Sequence, residues 1–350
     1  MKFRLVLVFF LIFLIGFFVW QGIYLPKNLA FTENKLFLIE RGQNLFQVAE
    51  NLEKEGLIKN KFLFDFYIII TGTQRKLQAG EYYLSPSMNV TGITKKIISG
   101  DIIKEEITII EGWNFRSIGF YFENKGMFQA EELWELAGFP AVDYSKAKDL
   151  PIPVDFSADY DFLKQKPENV GLEGYLFPDT YQINKGASIE AIVRKMLDNF
   201  DKKLAPYRNE ISGSGLTLFE IVTMASLLEK EVKTKEEKEI VSGIFWKRIK
   251  ERMPLDSCAT IAYILGGGNW TFEEMRKEIG KGKEIDSPYN TYKYLGLPLG
   301  PICNPGLESI KAAVYPKNSE YWYYLSLPDG ETIFSRTLEE HNIAQAKYLK

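Results

Sequence analysis

LFLIERGQNLFQVAENLEKEG at residues 36–56 and EITIIEGWNFRSIGFYFENKG at residues 106–126 follow one pattern, a short strand, a turn and an amphipathic helix. Gly42 and Gly112, Asn44 and Asn114, Val48 and Ile118, and Gly56 and Gly126 correspond at an offset of 70 residues. Shared internal spacing marks a building unit before any motif is read. Asn44 and Asn114 stand where an N-cap accepts from the first helical turn, and Gly56 and Gly126 stand where a helix is closed. A second correspondence, at an offset of 99, links YYLSPSMNVTGITKKII from Tyr82 to YQINKGASIEAIVRKML from Tyr181. In both, an extended segment leads through turn residues into a helix, with Val90, Ile93 and Ile97 at helical spacing. Repeated strand–turn–helix segments predict an α+β fold built from small modules.

Working outward, residues 139–170 carry Pro140, Pro151, Pro153 and Pro167 with little periodicity, which predicts a long loop or insertion. Beyond about residue 190 the pattern is helical, with helices expected at 188–204, 216–232 and 235–252 and a shorter one near 258–265. LGLPLGPICNPG, residues 295–306, is a Gly/Pro loop; Asn304 before Pro305 predicts an N-cap with proline at the first position of a helix through Val314. YWYYLSLPDGETIFS, residues 321–335, predicts a hairpin turning at Pro328, Asp329 and Gly330.

At the other end, LVLVFFLIFLIGFFVW runs from Leu5 to Trp20, and a weaker apolar stretch continues to Leu25 before Pro26. Residues 5–25 are long enough to span a bilayer. They exceed the core of a signal peptide, and no A-x-A-like site follows, so a retained anchor is expected. Lys2 and Arg4 precede the run. The positive-inside bias puts residues 1–4 in the cytoplasm and the rest across the cytoplasmic (inner) membrane, on its outer face.

The formal net charge is −3, so no broad cationic field marks nucleic acid as a partner. Cys258 and Cys303 are too few for a disulfide framework, although one bridge between them stays open outside the cytoplasm. His341 is the only histidine, which argues against a His-rich zinc site or a Ser-His-Asp triad built elsewhere. It falls in the helical pattern TLEEHNIAQAKYL, where a structural or surface role is expected. Carboxylates remain the main catalytic candidates, and neither metal nor cofactor is expected.

In TLFEIVTMASLLEKEV, residues 217–232, a helical advance puts Leu218, Val222, Ala225 and Glu229 within about 60° of one another. Glu220 and Glu231 fall on nearly the opposite side, where a solvated or ion-paired face is expected. A carboxyl against apolar neighbours holds its proton to higher pH, as a general acid must. Alternatively, Glu229 borders the stripe near the helix end and reaches water. GLEGYLFPDTY at 171–181 and DSPYNTYKYLGLPLGP at 286–301 gather aromatic, carboxylate and amide groups in loops, the chemistry that sugar rings and hydroxyls need.

LEGYLFPDTY, MASLLEKEV and YNTY followed by GLPLGPICNPG, in that order behind an N-terminal anchor, resemble the endolytic murein transglycosylases of the MltG/YceG-like family. The resemblance covers nearly the whole chain. At Met253–Tyr263 it is looser: many relatives read L-Q-[ST]-D where this chain has Leu255, Asp256, Ser257 and Cys258. The resemblance implies a LysM-like α+β subdomain within residues 27–104 and a mixed α+β catalytic domain with a helix-rich core over 105–350. It implies Glu229 as the catalytic acid and base, with Glu173, Tyr289, Asn290 and Tyr292 as candidates for substrate binding. Asn290 could instead tie down its own loop. The implied reaction cuts the β-1,4 bond between N-acetylmuramic acid and N-acetylglucosamine inside nascent glycan strands. It leaves 1,6-anhydro ends and so terminates strand growth. Implied partners are the glycan strands, the cytoplasmic membrane and peptidoglycan synthases. The short link after Pro26 would hold the site near the membrane, where new strands emerge. A hydrolytic muramidase with Glu173 or Asp256 as second carboxylate, and a non-catalytic wall-binding scaffold, are the alternatives.

Overall fold

The computed structural model describes residues 2–266, 277–278, 280–327 and 330–348. The chain divides into two compact units: Met1–Ile107 with Tyr181–Ala187, and Thr108–Thr180 with Ser188–Lys350.

The first unit opens with α1 (Lys2–Tyr24), followed by β1 (Lys35–Ile39), α2 (Leu45–Lys54), α3 (Lys61–Ile70), β2 (Gly80–Leu84), α4 (Val90–Ser99) and β3 (Lys104–Thr108). β1 and β2 are antiparallel, with Lys35 opposite Leu84 and Ile39 opposite Gly80. Their period-two pattern buries Phe37, Ile39, Tyr82 and Leu84 on one face and leaves Leu36 and Leu38 exposed on the other. The helices complete this core with Val48, Ala49, Leu52, Phe64, Ile68, Ile93 and Ile97. Full burial of each larger aliphatic or phenylalanine side chain contributes about 1.5–3 kcal/mol. The end of α1 is built into the same core: Ile23 is buried in it, Val19 packs against it, and Asn89 Nδ2 donates to the Tyr24 carbonyl at 3.0 Å.

The second unit contains α5 (Phe115–Asn124), α6 (Ala130–Ala137), α7 (Ile189–Leu204), α8 (Arg208–Gly213), α9 (Leu218–Glu231), α10 (Lys235–Lys250), α11 (Cys258–Leu265) and α12 (Leu307–Val314). It ends with the hairpin β5 (Tyr323–Ser326) and β6 (Thr332–Ser335) and with α13 (Leu338–Tyr348). β4 (Thr180–Asn184), which from Tyr181 onward belongs to the first unit, pairs with β3 of that unit. α9 is interior on nearly every side, with Leu218 and all residues from Ile221 to Leu228 buried, and it packs chiefly against α12.

The repeat is a structural one. Asn44 Oδ1 accepts from Gln47 N and Asn114 Oδ1 from Ser117 N, each at 3.0 Å, so both asparagines cap their helices. Gly56 and Gly126 adopt φ of +71° and +67°, the left-handed geometry that closes α2 and α5. In the second pair, Asn89 and Ser188 cap α4 and α7. The order strand–helix–helix–strand–helix therefore occurs twice, as β1-α2-α3-β2-α4 and as β3-α5-α6-β4-α7.

One expectation takes a different form, the open question of the cysteines is resolved, and the 139–170 loop and the terminal hairpin are found as expected. Gly306, not Asn304, precedes the first turn of α12, because the Asn304 side chain is occupied elsewhere, accepting from Gly174 N and Leu176 N. Cys258 and Cys303 are free thiols, the first exposed and the second buried. The 139–170 stretch is a run of turns with one 3₁₀ turn at Asp161–Gln165. The β5–β6 hairpin forms with Ser326 opposite Thr332, while Pro328 and Asp329 of its expected turn lie outside the described residues.

Candidate active site

In the second unit, the last turn of α9, the start of α11, the β5 strand and α13 surround a cavity of about 930 Å³. Trp113, Tyr263, Tyr292, Tyr323 and Tyr324 give it aromatic walls, and Glu231, Arg248, Asp256 and His341 bring titratable groups to it. This is the size and lining of a site for a polar ligand with ring faces.

Glu231 is the carboxyl at the wall. It accepts from Ser257 Oγ, from the Tyr324 hydroxyl and from the Ala259 backbone N–H. Burial raises its pKa, and these bonds together with the nearby Arg248 guanidinium oppose the shift without cancelling it. Arg248 is fixed by carbonyls, its Nε donating to Trp322 O at 2.9 Å and its Nη1 to Leu255 O at 3.0 Å. Asp256 stands 4.0 Å from that guanidinium. Burial also raises the Asp256 pKa, and its backbone has a φ of +52°, an arrangement that costs of order 1 kcal/mol in a residue with a Cβ. Strain of this kind gathers where a side chain must be aimed.

The expected site residues separate. Glu229, two residues before Glu231, points away from the cavity wall into the packing of α9 on α10 and α12. Its Oε1 pairs with Lys238 Nζ at 3.2 Å, the two side chains being 9% and 5% exposed. Its Oε2 accepts from Gly306 N at 2.9 Å and Ser309 Oγ at 2.6 Å, at the start of α12. Of the four proposed substrate-binding residues, Tyr292 alone lines the cavity; its hydroxyl meets Cys258 Sγ at 3.0 Å, and Lys283 Nζ lies 4.4 Å from its ring centre. Tyr289 is buried, its ring 5.3 Å from that of Tyr263. Asn290 is also buried and ties down its own loop, donating to the carbonyls of Lys283 and Ile285 and accepting from Tyr292 N.

Glu173 lies behind the wall, fully enclosed. It accepts from Phe115 N at 3.0 Å, Tyr263 Oη at 3.2 Å and Asn304 Nδ2 at 3.0 Å, and burial lifts its pKa to about 8 despite them. Asn304 also donates to the Trp113 carbonyl at 3.0 Å. The two loops thus lock the backbone that presents Trp113 and Asn114 to the cavity. Gly174, at φ +91°, brings this loop so close to Pro301 that a Cβ there would lie 2.6 Å from it, so only glycine fits.

Pattern reasoning did not find Glu231, Arg248 or His341 at the cavity. His341 stacks on Tyr323 with ring centres 5.4 Å apart, and its Nδ1 has no hydrogen-bond partner among the described residues. Burial first, and then Arg248, lower its pKa. No group of three or more His, Cys, Asp or Glu side chains among the described residues is arranged to hold a metal ion.

Fold and site define the class: a mixed helix-and-sheet protein with one N-terminal apolar helix and, in a helical unit, an aromatic-walled cavity edged by a buried carboxyl. The sequence model of the family described as YceG-like matches residues 37–347, and the chain belongs to that family. It is 31% identical over 313 residues to a Bacillus subtilis (strain 168) protein named endolytic murein transglycosylase, covering 89% of this chain and 84% of that one. It is also 31% identical over 324 residues to a protein of the same name from Streptococcus pneumoniae serotype 2, covering 88% of this chain and 57% of the longer pneumococcal one. A Listeria monocytogenes protein whose crystal structure is described as YceG-like is 32% identical, with a TM-score of 0.55 over 89% of this chain and 99% of that one.

Proposed function

We propose that this chain is an endolytic murein transglycosylase in which Glu231 is the acid and base. The observation that carries the reading is the Glu231 carboxyl, at the wall of the aromatic cavity with its pKa raised by burial. A carboxylic acid that keeps its proton can deliver it to the glycosidic oxygen as the bond between N-acetylmuramic acid and N-acetylglucosamine breaks. Positive charge then develops at the muramic acid ring. The carboxylate left behind takes the proton of that sugar's own C6 hydroxyl as its oxygen closes on C1, giving a 1,6-anhydro end. An intramolecular nucleophile needs no activated water and gains from its effective molarity. Released within nascent strands, such ends would terminate their elongation.

The resemblance gives the acid to Glu229, the first glutamate of the triplet Glu229, Lys230 and Glu231; the role is proposed for Glu231 instead, on its place at the cavity. Both carboxylates are hydrogen-bonded, Glu229 to Lys238, Gly306 and Ser309 and Glu231 to Ser257, Tyr324 and Ala259, but of the two Glu231 lines the cavity. Tyr292 is proposed to contact substrate directly. Glu173, Tyr289 and Asn290 are proposed to act as positioning residues through the walls they hold. A second reading, hydrolysis, is favoured by Asp256, a further carboxyl at the same cavity. Digestion in isotope-labelled water separates the two: a hydrolase leaves labelled reducing ends, and the transglycosylase leaves unlabelled 1,6-anhydro ends.

Residues 5–25 are proposed as a retained membrane span, with residues 1–4 cytoplasmic and the catalytic residues 105–350 on the outer face. Supporting this, Arg4–Tyr24 has a mean hydropathy of 2.6, and the buried Ile23 makes the end of this helix part of a domain core, which a cleaved segment would take away. Residues 27–104 are proposed to be LysM-like on the strand–helix–helix–strand order of β1-α2-α3-β2. Glycan strands are the proposed substrate, and membrane-bound peptidoglycan synthases the proposed neighbours.

A further inference from the structure

α3 reads KFLFDFYIII, and its apolar residues do not all face inward. Phe64 and Ile68 are in the core, but Phe62, Phe66, Ile69 and Ile70 are 69%, 47%, 52% and 60% exposed. At a helical advance these four fall within about 100° of one another, forming one stripe on one face. Four large side chains on one ten-residue helix are a contiguous patch of the kind that marks an interaction surface. Phenylalanine and isoleucine offer no hydroxyl or amide to a sugar, so the stripe is not suited to glycan.

Its position identifies the occupant. Leu63 and Tyr67, which border the stripe, pack on the core that takes in Val19 and Ile23 of α1, and a Cβ on Gly22 would overlap Leu63. α3 therefore meets α1 at its last turns. At that level α1 exposes Trp20 and Tyr24, whose rings stack 6.1 Å apart. Tryptophan and tyrosine at the end of a span sit at headgroup depth. Exposed Lys59 precedes α3, and exposed Arg75 and Lys76 follow it, cations suited to anionic headgroups. An apolar helical face joined to a span at its aromatic belt and flanked by cations is the arrangement of a helix lying in the membrane interface.

We propose that α3 is an interfacial helix, with Phe62, Phe66, Ile69 and Ile70 set among the lipids of the membrane that α1 spans. This rests on reading α1 as a retained span. The bilayer surface is then a second attachment for the first unit, one that fixes the tilt and rotation of that unit on the membrane. α1 alone would leave it free to swivel.

Nitroxide labels on the full-length chain test this in vesicles of three parts phosphatidylethanolamine to one part phosphatidylglycerol. Single labels are placed by Phe66→Cys or Ile69→Cys in a Cys258→Ala background, with Phe13→Cys in α1 and Glu50→Cys on the exposed side of α2 as references. Collision with oxygen against a water-soluble nickel chelate reads depth. At 66 and 69 the oxygen-to-nickel ratio is expected several-fold above that at 50 and below that at 13. A high ratio at 13 with ratios at 66 and 69 equal to that at 50 would overturn the proposal and leave the anchor standing. An aqueous ratio at 13 would sink the anchor reading, and the proposal with it. Spin–spin broadening at 66 that disappears on dilution with unlabelled protein would also overturn it, by giving the stripe to a second copy of the chain.

Discussion

Replacing Glu173 with Gln should change how the stability of the folded chain depends on pH. Glu173 moves from an ordinary carboxyl value of 4.5 to about 8 on folding, with burial as the main cause. The folded state therefore holds a proton that the unfolded state releases above about pH 4.5. The contribution is fully present below the unfolded value. It is lost as pH rises through the window up to about 8 and is flat above it. Each pH unit inside the window corresponds to about 1.4 kcal/mol, so by pH 7 the accumulated loss is about 3 kcal/mol, a large share of a domain's stability. Glutamine carries no titration but loses something else: its amide must face either Phe115 N–H or Asn304 Nδ2, both donors, at a cost of about 1–3 kcal/mol. The slope is thus a cleaner readout than the absolute stability. Guanidinium unfolding of the intact chain in mild detergent, followed by tryptophan fluorescence at pH 5, 6, 7 and 8, measures it. Wild type should lose stability relative to Glu173→Gln by about 1.4 kcal/mol per unit between pH 5 and 7. Parallel pH profiles for the two proteins would refute the assignment of a buried, proton-holding Glu173.

Three further outcomes follow from the same geometry. Lys238→Met leaves Glu229 as a buried carboxylate without its cation and should cost about 3–5 kcal/mol in chemical denaturation, much of it recovered in the double variant with Glu229→Gln. Gly174→Ala, forced to φ +91° and against Pro301, should destabilise by about 1–3 kcal/mol and lower cleavage by loosening the cavity wall. The raised pKa of Glu231 should carry the alkaline limb of the pH–rate profile above that of an ordinary carboxyl, and pH-dependent initial rates on purified glycan strands read that shift directly.

The modules were the most legible part of the chain, because caps and terminating glycines obey local rules. Asn44, Asn114, Gly56 and Gly126 do what their spacing requires. α7, α9, α10 and α11 begin and end within about two residues of their patterns. Local rules failed where a side chain was taken by a distant partner. Asn304 before Pro305 has the form of a cap, but its oxygen serves Gly174 and Leu176, about 130 residues away. Which of Glu229 and Glu231 meets the cavity could not be read for another reason. The wheel assumes one buried and one wet face, yet α9 is enclosed nearly all round, so both faces are interior. One glutamate meets a lysine and the other meets the cavity, a difference set by α10, α11 and the β5 strand. His341 likewise reaches the cavity only because α13 folds back onto β5. The free state of Cys258 and Cys303 could not be read from two isolated cysteines.

The central claim, that Glu231 handles the proton, is tested by mass spectrometry of peptidoglycan digested with wild type, Glu231→Gln and Glu229→Gln, each first shown to be folded by circular dichroism. Wild type should give 1,6-anhydro ends and Glu231→Gln roughly a 10²–10⁴-fold lower yield. Glu229→Gln should keep measurable cleavage in proportion to its folded fraction. Wild-type release of 1,6-anhydro ends by Glu231→Gln would contradict the claim.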